Sequence, residues 1–593
     1  MSRTFAHLLV ALSLLVSSFA ANDPAERVYR NGKIFTADAR GSIVQAIAIR
    51  NGHIIYVGSN EAAAPFIGPS TKIVDLKGGF LMPGLIDGHM HPLEAGLKLQ
   101  KCSLNYESLT VLQLQQRVQA CLDQTSTQEP DGWLEVVSWF QESMRPAGVK
   151  TSRAVLDMLK TSRPIIVRSS FGHTVLANSR ALALAKITRA SPDPLGGKIW
   201  RDTDGIPNGV LEDAAFVGFS DLIPKPTPQE NVAAARVAQH AIARQGVTSF
   251  LDAAAPTESM VAFSAVQSAG ELTVRAHFAP VIAPQEATDP ERAVSNIVAD
   301  RRQYDQGALQ AKPGISVRNA KLFLDGVIAA PALTGTMLEP YRRNDGTPEA
   351  ARWVEGQSRG PAVYFPPRPL AEILVRLGRA GIDPHMHADG DGAVRAALDA
   401  IQFMRKELGA ADVRPAIAHD EIVNPADFPR YKELDALPVL SFQWGKPAGD
   451  TLGVTNYLGP ERMSILEPAG FLKAAGARIV FGSDWPVDAL DEWFAFKVGV
   501  TRTNAPDAAP EFHGRLEADP GLSRETVLRA ATINAAYELH QDDVTGSLEV
   551  GKFADLIVLD RDPLTIPAED IANVKVIETV VGGATVYSSS ARK

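Results

Sequence analysis

The chain has 593 residues, too many for one simple domain, with 45% hydrophobic and 21% charged residues, as in an ordinary soluble globular protein. Its formal net charge is -9 and no basic block stands out, which excludes a nucleic-acid binder. A small-molecule substrate is compatible with that balance.

In chain order, residues 1–20 read as an export signal. Arg3 and His7 precede the apolar run Leu8–Val16, and Ser18-Phe19-Ala20 is a small-x-small cleavage site, so the cut is expected after Ala20. The run is well short of the ~20 residues that span a bilayer, and no other segment is apolar enough to cross. The expectation is a periplasmic or secreted protein with no stable membrane insertion after cleavage; an uncleaved membrane anchor is the competing reading. Cys102 and Cys121 are the two cysteines. Export permits a disulfide between them, and two buried thiols read equally well.

Short β-rich stretches follow. Arg27–Thr36 contains Asn31-Gly32, and Ile43–Gly58 contains Asn51-Gly52 between alternating apolar residues, a strong hairpin signal. Lys72–Leu76 leads into Gly78-Gly79. The far end has the same texture: Ala554–Leu559 suits a buried strand, and Val574–Val580 and Ala584–Tyr587 flank Gly582-Gly583. One small β domain built from both termini, 21–79 with 538–593, is expected.

The middle alternates helix and strand. Glu230–Gln245 stops at Gly246 before Val247–Leu251, Leu370–Arg379 stops at Gly381 before His385-Met386-His387, and Pro468–Ala475 stops at Gly476 before Arg478–Phe481. Alternation argues for a parallel sheet, and residues 80–537 have room for a (β/α)8 barrel of ~250 residues with insertions. The stretch from His91 to Gly246 is far longer than the ~30 residues of an average barrel unit. An insertion after the first strand, about 100–228, is therefore expected over the active-site face, as a substrate lid.

The chemistry-bearing residues cluster at predicted strand ends. Phe80–Pro92 reads FLMPGLIDGHMHP, and two histidines two apart on a strand point the same way, as a borderline metal such as zinc needs. Lys321, His385 and His387, His419, and Asp484 stand at the ends of other predicted strands. Each has a bland alternative: a salt-bridged lysine, core histidines, an aspartate capping the helix after Pro486. Their shared position at C-terminal strand ends, where barrel enzymes keep catalytic groups, favours a site. Trp444 and Trp485 either line a pocket or pack.

Phe80–Pro92 resembles the first-strand motif of the amidohydrolase superfamily, and GSLEVGKFADLIVLD at Gly546–Asp560 is similar to its closing segment. GHTVLANSRALA at Gly172–Ala183, Pro194–Gly197 and HADGDGA at His387–Ala393 resemble the branch that contains N-substituted formamide deformylase. The resemblance implies a distorted (β/α)8 barrel with a β-sandwich made from both chain ends. It implies His89, His91, Lys321, His387, His419 and Asp484 as ligands of one or two divalent ions, zinc foremost, with Lys321 a candidate for carboxylation. His173, His385 and Trp485 are the candidates on the substrate side, although His173 reads equally well as a structural loop histidine and His385, which shares the face of His387 but falls outside the HADGDGA match, reads as a residue behind the ligands; a homo-oligomer is compatible with the family.

The expected reaction is hydrolysis of a C–N bond, in an amide, N-formyl or related group, by metal-activated water, with Asp484 as general base and His419 assisting. The runner-up activities on the same barrel are esterase, lactonase or phosphotriesterase, and the non-enzyme alternative is a catalytically silent binding or regulatory relative.

Overall fold

Thr227 and Glu230 close a capping box at the start of helix Pro228–Gln245, and Gly246, at φ +93°, ends that helix and turns the chain directly into strand Val247–Ala255. The structure is a computed structural model. It describes residues 23–589, apart from 126–130, 142–143, 147–148, 171, 173, 195–196, 221, 331, 348–349 and 517. The expected export signal at residues 1–20 lies outside the described residues.

Repeated helix-to-strand turns of this kind build two parallel sheets. One runs Ile315–Ser316, Arg275–Pro280, Val247–Ala255, Leu85–Met90; the other runs Asn319–Phe323, Asp383–Ala388, Ala416–His419, Leu437–Leu440, Val480–Phe481. They abut at both edges. A bridge between Val281 and Lys321 joins one seam. At the other, the Asp484 N–H donates to the His89 carbonyl and the His91 N–H to the Trp485 carbonyl, both at 2.7 Å. Every residue of Asp383–Ala388 is buried, as befits a parallel strand covered on both faces. Outside it, helices Pro367–Arg379 and Asp391–Leu408 bury Leu370, Ile373, Leu374 and Leu377 and Val394, Leu398, Ile401 and Met404, the spacing of a helical apolar stripe.

Between helices Pro92–Lys98 and Pro228–Gln245 the chain forms a separate mixed sheet of six strands, from Cys102–Ser103 to Pro207–Asp213, with its own apolar core around Leu114, Val136, Trp139 and Val167. Cys102 and Cys121 are joined by a disulfide, Cα to Cα 5.8 Å, which ties the first strand of this sheet to helix Val111–Thr125. The pairing that the sequence left open is thereby made.

The chain ends combine in two further sheets. One holds His53–Gly58, Ala46–Arg50, Arg27–Arg30 and Lys72–Asp75. The other holds Ala584–Ser588, Val576–Val581, Leu556–Leu559, Phe80–Pro83, Lys33–Phe35 and Ile43–Val44. Tyr29, Ile34, Ile47, Leu81, Leu556 and Val580 share one core between them. Phe80–Pro83 belongs to this end sheet rather than to the segment beginning at residue 80. The apolar run from Phe80 to Met90 is two strands, broken at Gly84, where a Cβ would meet Thr248 at 2.3 Å. The buried Arg275 guanidinium locks the end sheet to the parallel strands, with Nε 2.6 Å and Nη2 3.1 Å from the Asp555 carboxylate and two further bonds to the carbonyls of Gln310 and Ala311.

Candidate active site

Alternation along Leu85–Met90 and its continuation sends His89 and His91 to the same side, with ring centroids 5.4 Å apart. Their neighbour Asp87 holds the seam. Its buried carboxylate accepts the His89 N–H at 2.9 Å and the Ser483 N–H at 3.1 and 3.2 Å, splicing the ends of the first and last parallel strands. Gly482 is required at that splice, because a Cβ there would lie 2.5 Å from the His89 Cβ.

Asp484 and His419 both sit in left-handed backbone, at φ +54° and +83°. Such conformations are uncommon without glycine and persist where surrounding structure imposes them, often at functional sites. Asp484 Oδ1 lies 3.4 Å from His89 Nε2 and 3.0 Å from His91 Nε2. It caps no helix: the next one, Glu492–Thr501, is capped by Asp491.

His89 is oriented from behind. Its Nδ1 is 2.8 Å from His385 Nε2, and His385 Nδ1 is 3.2 Å from Glu538 Oε1. This leaves His89 Nε2 facing Lys321 Nζ at 3.4 Å and Asp484. His385 therefore makes no substrate contact. It is fully buried, one pleat deeper than His387 on the same strand, and lies outside the cavity lining. Trp485 is a second correction: it is buried in the apolar core and borders a neighbouring cavity, with Tyr106 and the disulfide, rather than the one lined by the histidines. His173 lies outside the described residues.

His419 occupies the middle, its ring centroid 4.8 Å from that of His89 and 4.5 Å from that of His387, with the Trp444 ring stacked at 5.5 Å. Two groups of side chains could hold a metal ion, His89 with His419 and Asp484, and His387 with Asp389 and His419; within each group the ligand atoms lie within 4.8 Å of one another. His91 and Lys321 border the same space. Imidazole and carboxylate donors suit zinc and similar borderline ions.

Asp389 was not singled out in the sequence, although it stands two residues past His387 in the quoted HADGDGA. The missing signal is a loop, not a strand. The buried Asp325 carboxylate accepts the N–H groups of Asp389, Gly390 and Thr336 at 3.0, 3.0 and 2.8 Å and so folds that loop back over the site. Asp389 Oδ1 is buried without a hydrogen-bond partner, with His387 Nε2 at 3.4 Å, as an oxygen awaiting a cation would be.

Burial holds His89, His385 and His419 well below the ordinary histidine range, so they are neutral imidazoles, the form that ligates metals. Burial also lowers Lys321 to about 8 against the pull of Asp484, Asp389 and Asp252. His91 differs: burial opposes its charge, but Asp252 and Asp484 outweigh it and raise the group to about 9, so it would ligate a divalent ion only by giving up that proton.

These groups form the floor of a cavity of about 230 Å³. The rest of the lining, its wall, comes from loops and the short helix Gly449–Gly453, with Ile328, Val454 and Leu466 alongside Glu421, Asp450 and Glu467, and from the inserted sheet, with Ser169, Thr174 and Glu212.

Comparison with known proteins returns one family model, the Amidohydrolase family, matched over residues 72–587. Protein LONG AFTER FAR-RED 3 of Arabidopsis thaliana is 26% identical over 95% of this chain and 92% of its own length. N-substituted formamide deformylase of Arthrobacter pascens is 24% identical over 94% of this chain and 97% of its own. Among solved structures, an uncharacterized metal-dependent hydrolase from Pyrococcus horikoshii OT3 superposes with a TM-score of 0.69 at 22% identity, covering 91% of this chain and 99% of that one.

Proposed function

The chain belongs to the amidohydrolase family, and from that premise we propose that it is a metal-dependent hydrolase of a C–N bond in a small amide or N-formyl compound. The observation that carries the reading is the pair of ligand groups sharing His419, set around Asp484 and opening on one cavity. The N-formyl choice is supported by the Arthrobacter relative, an N-substituted formamide deformylase.

His89, His91, His387, Asp389, His419 and Asp484 would hold one or two divalent ions, zinc foremost, with Lys321 a further ligand if carboxylated. A divalent cation bound there supplies Lewis acidity that polarises a carbonyl and makes water a stronger acid. The Asp484 carboxylate takes the proton of the attacking water and hands it to the leaving nitrogen. A C–O bond forms, the C–N bond breaks, and a carboxylic acid and an amine leave. The His385–Glu538 pair keeps the His89 ring fixed while this happens.

The two parallel sheets, abutting at both seams, support a (β/α)8 barrel with the site at the C-terminal strand ends, its eight strands being those of the two sheets without the two-residue Ile315–Ser316, which pairs beside the start of Arg275–Pro280. The shared core of the end sheets supports a sandwich, and the separate sheet from Cys102–Ser103 to Pro207–Asp213 supports an inserted substrate lid. The disulfide supports a periplasmic or secreted site of action.

The test is metal analysis of protein prepared with and without added bicarbonate, together with turnover on a panel of N-formyl amines, simple amides and esters. Bound divalent metal and turnover of formamides above esters are expected. Ester turnover exceeding that of amides would move the assignment to the esterase reading, and metal-free protein with equal activity would sink both.

A further inference from the structure

Three further carboxylates line the same cavity as the histidines: Glu421, which lies two residues past His419 and against Asp389, and Asp450 and Glu467. Glu467 is the most telling. It is 7% exposed, lines the cavity, and sits at φ +53°. Its backbone is pinned on both sides, its N–H donating to the Glu421 carbonyl at 2.8 Å and its carbonyl accepting Arg502 Nη1 at 2.8 Å. Its carboxylate has no hydrogen-bond partner among the described residues. Asp450 Oδ1 is likewise buried without one. A strained residue that delivers an unanswered buried carboxylate into a cavity is arranged for a donor that comes from outside the protein.

The nearby cations act on these groups by charge, Arg502 and Lys446 pulling Glu467 down and Lys446 doing the same to Asp450, while the hydrogen bonds they are seen to make go elsewhere. The Arg502 guanidinium points at the carbonyls of Leu466, Glu467 and Leu516, with Asp519 at 3.7 Å, and Lys446 Nζ donates to the Gln443 carbonyl at 2.6 Å. Neither Arg502 nor Lys446 lines the cavity, where Lys321 on the floor is the one lysine or arginine among the described residues. Divalent ions on that floor would be held by Asp484 and Asp389 with the histidines, which leaves Asp450 and Glu467 for another positive charge. Burial, reinforced by the charge of Glu421, raises Glu467 well above the ordinary carboxylate range, and burial raises Asp450. Both would gain from a cationic partner.

Resting on the hydrolase reading above, we propose that the substrate carries a second, positively charged nitrogen that docks against Asp450 and Glu467. The substrate class is then an N-formyl or N-acyl derivative of a diamine or similar base. The cation-holding floor takes the carbonyl, the acidic wall takes the ammonium or guanidinium, and Phe323, Ile328, Val454 and Leu466 between them suit an apolar spacer. The opposed charges fix which end of the molecule reaches Asp484.

The test uses the metal-loaded full chain and matched pairs: N-formyl diamines of increasing length, each beside the N-formyl alkylamine in which a methyl replaces the ammonium. The expected result is a kcat/KM about tenfold or more higher for the charged member of the best pair, carried mainly by KM. Glu467→Gln should collapse that ratio, and Asp450→Asn serves as the second variant if the first does not fold. Equal turnover within every wild-type pair overturns the inference and leaves the hydrolase intact. If no formamide or amide is turned over, the hydrolase reading fails instead, and calorimetric titration with the free diamines and alkylamines decides the wall. Tighter diamine binding that Glu467→Gln abolishes upholds the cationic subsite, and equal binding removes it.

Discussion

The floor and the wall of one cavity are made by opposite kinds of element. The floor comes from the ends of parallel strands, where His89, Lys321, His387, His419 and Asp484 are fixed by sheet register, by the Asp87 splice and by the His385–Glu538 pair. The wall comes from loops, the short helix Gly449–Gly453 and the inserted sheet, which bring in Glu467, Asp450 and Glu212 from distant parts of the chain. A scaffold that holds reacting groups rigidly while loops define what enters can keep one chemistry and change its substrate.

That division can be broken experimentally. The largest effect belongs to the floor: Asp484→Asn should lower turnover by about 10³-fold or more while metal analysis still finds the ion and the fold survives. Full activity in that variant would remove Asp484 from the proposed chemistry. Next, replacing Cys102 and Cys121 together with serine should cost about 3 kcal/mol in denaturant unfolding, if the disulfide loop contributes the usual chain-entropy term. Metal content should stay unchanged, because the bond braces the inserted sheet and not the floor; loss of metal would show that the two regions are not separable.

A smaller effect is expected behind the floor. Glu538→Gln should weaken metal binding by about 10–100-fold, measured by competition with a chelator, since the His385 contact that orients His89 is loosened. Unchanged affinity would mean that packing alone sets the His89 ring. The smallest change sharpens the wall. Trp444→Phe loses the indole bond to Asp488 at 2.8 Å but keeps a ring against His419, and should raise KM by about threefold with kcat little altered. A kcat loss as large as that of Asp484→Asn would place Trp444 with the floor.

The floor was legible because strand alternation and strand ends leave a local imprint: His-x-His after an apolar run, and a histidine or aspartate closing each later run. Asp389 escaped because it stands in a loop whose shape is set by Asp325, far away in sequence. The absence of His385 from the HADGDGA match places it behind the ligands, but spacing gives only its side of the strand and not its depth, and depth decides whether an imidazole meets the substrate or props another imidazole.

By itself, the sequence determined the helix-to-strand alternation, the β texture of both ends and the identity of most floor residues, because periodicity, glycine stops and turn pairs are short-range and leave marks within a few positions. Only the tertiary structure decided that Phe80–Pro83 joins the end sheet, that Cys102 meets Cys121, that Trp485 borders a neighbouring cavity, and that Glu421, Asp450 and Glu467 line the same one as the histidines. Those outcomes depend on which distant backbones approach one another, and no local pattern of residue types encodes such an approach.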